Sequence, residues 1–222
     1  MLEYKREIPD IKSTFSGEGM KQIRVLQWGL GAMGSGMAKL MLEKNGIKIV
    51  SVVDARPDFL NKDLGDALQL GKKTGVKITN DPDSVLKKEK VDIVVIATTS
   101  WLKDQMPDLR RILKAGINCI SIAEEMADPY AQNAKYAKEL DKLAKENGVT
   151  IIGTGVNPGF VLDLLVIALT AGNHHVERIE ASRVNDLSPY GPTVMNSQGV
   201  GTSPEQFRAG IADGSIVGHV GF

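Results

Sequence analysis

The sequence predicts an α/β fold, a doubly wound parallel sheet followed by part of an α+β domain. Apolar runs of strand length alternate with helical periodicity from residue 23 to about residue 172. A glycine-rich turn joins the first strand to the first helix. Beyond residue 173, polar and apolar residues alternate instead, which is typical of a sheet with one solvated face. The predicted strands span residues 23–28, 47–53, 76–79, 91–97, 117–122, 149–152 and, in the second domain, 176–184.

Helical periodicity fills most of the gaps between these strands. Helices are predicted over 35–44, through Val85 and Leu86, and over 101–115, 129–147, 160–169 and 203–212. The helix over 160–169 is apolar nearly all round, so we expect it to be buried between domains, with Pro158 in its first turn.

The change of character divides the chain into three parts. These are an N-terminal extension (1–20), a domain built on the parallel sheet (21–155) and the start of a second, α+β domain (156–222). The extension has no apolar centre and is not predicted to be a signal peptide. One strand, a glycine-rich loop and one helix do not easily close a sheet domain. We therefore expect the rest of the second domain to be absent from this chain.

Composition narrows the class of protein. The net charge is zero, so nothing in it favours nucleic acid or an anionic membrane. No apolar run approaches the roughly 18 residues of a membrane span. The one cysteine, Cys119, excludes an internal disulfide framework and agrees with a reducing cytoplasm. Its place in an apolar run indicates a buried thiol and not a nucleophile.

The glycine turn carries the first functional prediction. Gly29 permits a tight turn, Gly31 lets backbone approach a pyrophosphate, and Gly34 lets the helix pack on the strand. The helix N-terminus offers free N–H groups to the phosphates. The sequence therefore predicts a Rossmann-type site for NAD or NADP, built from Gly29, Leu30, Gly31, Ala32, Met33 and Gly34.

Asp54 and Arg56 bear on which dinucleotide binds. Asp54 ends the second predicted strand, about 20 residues after Gly34, where a carboxylate accepts hydrogen bonds from the adenosine ribose of NAD. Arg56 is able to pair with the 2′-phosphate of NADP instead, or to be an ordinary exposed arginine. The two residues leave the preference open.

Two further loops follow strands at the same predicted edge. Three small residues follow the fourth strand, namely Thr98, Thr99 and Ser100, and Ala123 follows the fifth. Their small side chains would let the nicotinamide half of the dinucleotide lie against the backbone. Ser100 also suits the N-cap of the next helix. Glu124 and Glu125 are candidates for holding a substrate ammonium, and the alternative is an exposed acidic turn. His174 and His175 lack metal-ligand neighbours, which favours a polar turn.

With these motifs in place, the chain resembles the 2,4-diaminopentanoate dehydrogenases, relatives of dihydrodipicolinate reductase and meso-diaminopimelate dehydrogenase. The resemblance runs from about residue 21 to 222. It rests on the stretches 27–34, 97–100, 153–163 and 218–222, above all on the Asn157, Pro158, Gly159 block and the tail.

This resemblance implies NAD(P)-dependent oxidative deamination of a small diamino acid in ornithine degradation, by a cytoplasmic homodimer. A hydride would leave C4 of 2,4-diaminopentanoate, and hydrolysis would give 2-amino-4-oxopentanoate and ammonia. Residues 21–155 would form the NAD(P)-binding domain and 156–222 the start of the substrate and dimerisation domain. Glu124 or Glu125 would hold the substrate ammonium, and residues 157–159 would line the cleft. Asp186, expected at the end of the second domain's strand, is a further substrate candidate.

Two rivals stay open. A dihydrodipicolinate reductase-like enzyme would move the hydride the opposite way, but its family carries a basic, histidine-rich motif. Here His174 and His175 are followed by Val176 and Glu177. The other rival is a protein that binds NAD(P) without turnover.

Overall fold

A computed structural model describes residues 22–217 except 89, 185, 189 and 190, and the side chains of 192 and 193 also lie outside the description. The predicted N-terminal extension and the tail 218–222 therefore lie outside the described residues. Within them, six parallel strands form one sheet in the order β3-β2-β1-β4-β5-β6. The strands are β1 (Ile23–Trp28), β2 (Ile47–Val53), β3 (Ile78–Thr79), β4 (Ile93–Ile96), β5 (Asn118–Ser121) and β6 (Ile151–Gly153).

Helices connect the strands and continue beyond the sheet. They are α1 (Ala32–Glu43), α2 (Leu64–Ala67), α3 (Pro82–Lys88), α4 (Leu102–Lys114), α5 (Pro129–Glu146), α6 (Leu165–Thr170), α7 (Pro192–Ser197) and α8 (Pro204–Asp213). Short 3₁₀ turns cover Pro57–Phe59 and Glu124–Met126, and a π-helical turn, Phe160–Leu164, leads into α6. None of the described helices is both long and apolar enough to cross a membrane.

Two buried apolar clusters cover the two faces of the sheet. One joins β1 and β4 to α4 and α5, and the other joins α1 and α2 to β2 and β3. Val53 belongs to the first cluster and Val52 to the second, because consecutive strand residues point to opposite faces. The doubly wound parallel sheet predicted from the sequence is thus confirmed.

Cys119 lies in the first cluster and is 1% exposed. Burial raises the pKa of its thiol to about 12, so the thiol stays protonated at neutral pH. The prediction of a buried, unreactive cysteine is confirmed.

The apolar segment after β6 departs from expectation. No residue of the π-helical turn or of α6 is buried, and Leu164, Ile167 and Leu169 are more than half exposed. Pro158 precedes the helical turn, which begins at Phe160, so it does not occupy the first turn as expected. The prediction of burial was wrong for the described residues, because an apolar stripe is buried only when another element packs on it.

The strand predicted over 176–184 is also absent from the described structure. These residues form no ladder, and all of them except the half-buried Arg183 are exposed. The ion pair between Arg178 and Glu180 is local. The alternation of polar and apolar residues gave a strand signal, but a strand also needs a partner to accept its hydrogen bonds. The helix predicted over 203–212 is confirmed by α8, which begins with a capping box formed by Ser203 and Gln206.

Candidate functional site

The predicted site loops leave one edge of the sheet. Hydrogen bonding between neighbouring strands continues just past the strand ends. Gly29 N–H donates to the Val53 carbonyl at 2.7 Å. Ala97 N–H likewise donates to the Trp28 carbonyl at 2.7 Å. The strand order reverses between β1 and β4, which places the glycine turn and the loop after β4 at the topological switch point where such sheets bind ligands.

The three glycines of the turn have different structural roles. Gly29 has a φ of +93°, and a Cβ there would lie 2.5 Å from the Ala97 carbonyl oxygen. A Cβ on Gly34 would lie 2.1 Å from the Gly29 carbonyl oxygen. A Cβ on Gly31 would meet nothing within 4 Å. Two glycines therefore hold the turn together, while Gly31 borders open space.

The N-terminus of α1 is available for an anion. The N-cap residue is Gly31, so no side chain at this position bonds to the first N–H groups of the helix, and the first turn contains no acidic residue. The unpaired N–H groups and the helix dipole both favour a phosphate at this end. Together with the open space at Gly31, this arrangement fits the pyrophosphate of a dinucleotide.

Gln27, missed by the sequence analysis, supports the turn from below. Its side chain is fully buried, and its Nε2 donates to the Gly29 carbonyl at 2.8 Å. Its Oε1 accepts no hydrogen bond among the described residues. The signal in the sequence was a polar residue among apolar ones at the end of the strand, just before the glycines.

Asp54 lies where the sequence predicts, at the end of β2, but its carboxylate is already engaged. Oδ2 accepts from Leu30 N–H at 2.7 Å, and Oδ1 accepts from Arg56 N–H at 2.9 Å and Arg56 Nε at 3.0 Å. Burial raises the pKa of Asp54, but these hydrogen bonds and the Arg56 charge outweigh it, so the net shift is downward. The ionised Asp54 carboxylate therefore stabilises the folded protein at pH values above the pKa that the carboxyl has in the unfolded chain. This stabilisation is lost as the pH falls through the lower pKa of the folded state.

Arg56 is held on three sides. Its Nη2 donates to the Leu30 carbonyl at 2.7 Å, its Nε pairs with Asp54, and its guanidinium lies 3.8 Å from the centre of the Phe59 ring. The side chain is still 45% exposed. Arg56 is therefore ordered at the glycine turn and also exposed, a geometry that agrees with both possibilities left open by the sequence.

The loop after β4 is tied to the loop after β5. Ser100 Oγ donates to Glu124 Oε1 at 3.1 Å, and the Ser100 carbonyl accepts from Glu125 N–H at 3.2 Å. Glu125 Oε2 accepts from Leu102 N–H at 2.6 Å, at the start of α4. The expectation that Ser100 caps this helix was wrong: Trp101 is the N-cap, without a side-chain bond, and Glu125 supplies the acceptor. Neither glutamate is part of a merely exposed turn.

A buried polar pair, also missed by the sequence analysis, lies beneath these loops. Ser121 Oγ donates to Gln105 Oε1 at 2.5 Å and accepts from Ala123 N–H at 3.1 Å. Gln105 Nε2 lies 3.4 Å from Thr98 Oγ1, to which it donates. Ser121 and Gln105 are both fully buried. Their signal in the sequence was a polar residue at a position where its neighbours on the same face are apolar.

The loop after β6 is closely packed at its start. Gly153, the last residue of β6, packs against the 3₁₀ turn Glu124–Met126, which we call the glutamate turn. A Cβ on Gly153 would lie 1.7 Å from the Met126 carbonyl oxygen. The Asn157–Pro158 peptide bond is cis, and Asn157 Oδ1 is buried without a hydrogen-bond partner in the described structure. Gly159 N–H donates to Asp163 Oδ2 at 2.7 Å.

The remaining polar candidates make local contacts. Asp186 accepts from the N–H and Oγ of Ser188, and these bonds lower the pKa of its carboxyl. It does not end a strand, contrary to expectation. The His174 and His175 rings stack with their centres 6.0 Å apart. Within the described ranges, no group of three or more possible ligands could hold a metal ion.

The parallel sheet, the glycine turn at its switch point and the helix that begins after it define a Rossmann-type dinucleotide-binding domain. Residues 23–99 match the family described as dihydrodipicolinate reductase, N-terminus, and residues 160–222 match the 2,4-diaminopentanoate dehydrogenase C-terminal domain. Over 205 residues, 91% of its length, the chain is 43% identical to 2,4-diaminopentanoate dehydrogenase of Acetoanaerobium sticklandii. Over most of its length the chain is thus similar to a 2,4-diaminopentanoate dehydrogenase, and its C-terminal part matches the model of that enzyme's C-terminal domain.

Two amine dehydrogenases are also similar. The structure of the enzyme from Mycobacterium smegmatis matches with a TM-score of 0.72 and 31% identity, over 86% of this chain and 56% of that one. The enzyme from Streptomyces virginiae is 22% identical over 170 residues, 76% of this chain and 47% of that one. The chain spans 58% of the length of the A. sticklandii protein.

Proposed function

We propose that the protein catalyses the oxidative deamination of 2,4-diaminopentanoate with NAD or NADP as hydride acceptor. The substrate, oxidised dinucleotide and water would give 2-amino-4-oxopentanoate, ammonia, reduced dinucleotide and a proton. The observation that carries this proposal is the 43% identity to a curated 2,4-diaminopentanoate dehydrogenase across 91% of the chain. A cytoplasmic homodimer acting in ornithine degradation is the finer part of the proposal.

The glycine turn and the two loops beside it are proposed to hold the cofactor. Residues 29–34 would bind the pyrophosphate, and Asp54 and Arg56 would meet the adenosine ribose. The nicotinamide half would lie along a loop that we call the shelf. The shelf is the loop formed by Ala97, Thr98, Thr99 and Ser100, with Ala123 beside it. When bound, the nicotinamide supplies the redox chemistry by accepting a hydride at its C4.

The protein's part of the reaction is to bind and orient the diamino acid. Glu124 is proposed to hold the substrate ammonium, and the loop 157–159 would line the cleft, where the buried Asn157 Oδ1 is able to accept a hydrogen bond from a ligand. The amine must be neutral when the hydride leaves, so its proton passes first to water or to a carboxylate at this edge. Asp186 stays a substrate candidate, although its described contacts are local.

Turnover of 2,4-diaminopentanoate tests the activity directly. With the full-length protein, we expect NADH or NADPH to form with one equivalent of ammonia, as measured by absorbance and by an ammonia assay. Tight dinucleotide binding without reduced product would contradict the dehydrogenase proposal and favour a non-catalytic NAD(P)-binding protein. Oxidation of NADPH by an unsaturated ring imine, without amine oxidation, would favour the reductase instead.

Arg56→Ala tests the proposed contact with the 2′-phosphate. Loss of a charge-assisted hydrogen bond is expected to weaken NADPH binding about tenfold, or ~1.4 kcal/mol. NADH binding should not weaken, because NADH lacks that phosphate. Titration of dinucleotide fluorescence measures both affinities. Asp54→Ala is the comparison, since it removes the carboxylate that orders Arg56 and that would meet a ribose hydroxyl. Unchanged NADPH affinity in Arg56→Ala would show that the proposed phosphate contact is wrong.

A further inference from the structure

Glu125 closes a two-way link between neighbouring loops at the carboxyl edge. Its backbone N–H donates to the Ser100 carbonyl at 3.2 Å, and its side-chain Oε2 accepts from Leu102 N–H at 2.6 Å. Glu125 therefore makes hydrogen bonds on both sides of Trp101, with Ser100 in the shelf and with Leu102 at the start of α4. The adjacent Glu124 adds a third bond, through Ser100 Oγ.

The N-terminus of α4 depends on this external acceptor. Leu102 is fully buried, so its N–H would lack a partner without the Glu125 carboxylate. The side chain of Trp101, the N-cap residue, has no oxygen and makes no capping bond. A carboxylate also interacts favourably with the positive end of a helix of 13 residues. The short bond and the buried donor indicate that the carboxylate is committed to the helix.

The other end of the shelf is held independently. Thr98 Oγ1 accepts from Gln105, one turn into α4, and Gln105 is bonded to Ser121 at the end of β5. The shelf is thus fixed to α4 and β5 at Thr98, and to the glutamate turn at Ser100. A loop held at both ends by partly buried hydrogen bonds offers an ordered surface, which is what a planar ring needs for accurate placement.

We propose that Glu125 is a positioning residue that fixes the shelf for the nicotinamide half of the cofactor, and that the substrate ammonium is left to Glu124. This inference rests on the proposed function. It separates two adjacent carboxylates that sequence alone treats as equivalent, since only Glu125 accepts the backbone N–H at the start of α4.

Matched substitutions of the two glutamates test the proposal in the full-length protein. Glutamine keeps a carbonyl oxygen able to accept the Leu102 N–H, whereas alanine leaves that donor unpaired. We expect Glu125→Ala to weaken NADPH binding about tenfold, because small displacements of a positioned group have large effects. Glu125→Gln should restore NADPH binding and leave the KM for 2,4-diaminopentanoate unchanged. Glu124→Gln should raise that KM and leave NADPH binding unchanged.

The outcomes separate this inference from the proposed function. A Glu125→Gln variant whose substrate KM rises as much as that of Glu124→Gln would overturn it, as would a folded Glu125→Ala variant with normal NADPH affinity. A wild-type protein that binds NADPH without oxidising 2,4-diaminopentanoate would contradict the proposed activity, while the comparison of NADPH affinities still tests Glu125. A wild-type protein that binds neither NADPH nor NADH would overturn both.

Discussion

Gly34→Ala is expected to lower the free energy of unfolding by about 3 kcal/mol, the upper end of the range for overpacked substitutions. The added Cβ would lie 2.1 Å from the Gly29 carbonyl oxygen, and that oxygen also accepts the hydrogen bond from Gln27. Both neighbours belong to the backbone or the buried interior, so α1 must move away from β1. Urea denaturation followed by circular dichroism measures the change.

Gly36→Ala provides the matched control within the same helix. Gly36 is exposed, and a Cβ there would meet nothing within 4 Å. Replacing a helical glycine by alanine should stabilise the protein by about 0.5–1 kcal/mol. Equal effects of the two substitutions would show that α1 does not pack on the glycine turn as described.

Gly31→Ala is expected to have the converse effect: normal stability with dinucleotide affinity lowered at least about tenfold, or ~1.4 kcal/mol. The residue has a φ of −56°, which alanine adopts without strain, and no atom lies within 4 Å of the added Cβ. The methyl group would instead occupy the space through which the pyrophosphate approaches the backbone.

The pair of substitutions distinguishes a structural glycine from a binding one. Dinucleotide affinity is measured for Gly31→Ala and Gly36→Ala by NADPH fluorescence, with urea midpoints for both. Unaltered NADPH affinity in Gly31→Ala would contradict the placement of the pyrophosphate at this turn. A large loss of stability would show that the open space at Gly31 is filled in the folded protein.

The sheet was predictable because its signals are local. Each strand in the first part of the chain is a short, largely apolar run, and the structure contains all six. β1 and β2 have the predicted bounds, β3, β4 and β5 are shorter, and β6 begins and ends later than predicted. The predicted β4 run of 91–97 shortens to Ile93–Ile96, for example, because only those residues pair with β5. Periodicity measures burial, and strand ends are decided by pairing.

The second part of the chain was less predictable because its expected structure depends on distant partners. The apolar run at 160–169 and the alternating run at 176–184 each show which side chains could be buried. Neither shows which other element of the protein would pack on them. In the described residues the first is helical with none of its side chains buried, and the second forms no ladder. Long-range pairing is information that a local pattern does not contain.

Within the candidate site, sequence spacing located the groups but not their partners. Asp54 and Arg56 were singled out as alternatives, whereas the structure joins them in one ion pair beside Phe59. Glu125 was singled out for a ligand, whereas it accepts a backbone N–H. Gln27, Gln105 and Ser121 were missed, since a buried amide or hydroxyl looks like an ordinary interruption of an apolar run until its partner is known.

The position of β1 in the middle of the sheet has a consequence for synthesis on the ribosome. β1 pairs on one side with β2, which follows closely in the chain, and on the other with β4, which begins at Ile93. A nascent chain therefore forms the β1–β2 pair first and leaves one side of β1 unpaired for many residues. The partners of Trp28 in α4 are made later still. Until β4 has been synthesised, the unfinished sheet has an unpaired, apolar edge at β1. We therefore expect the nascent chain to be most prone to aggregation at this stage of its synthesis.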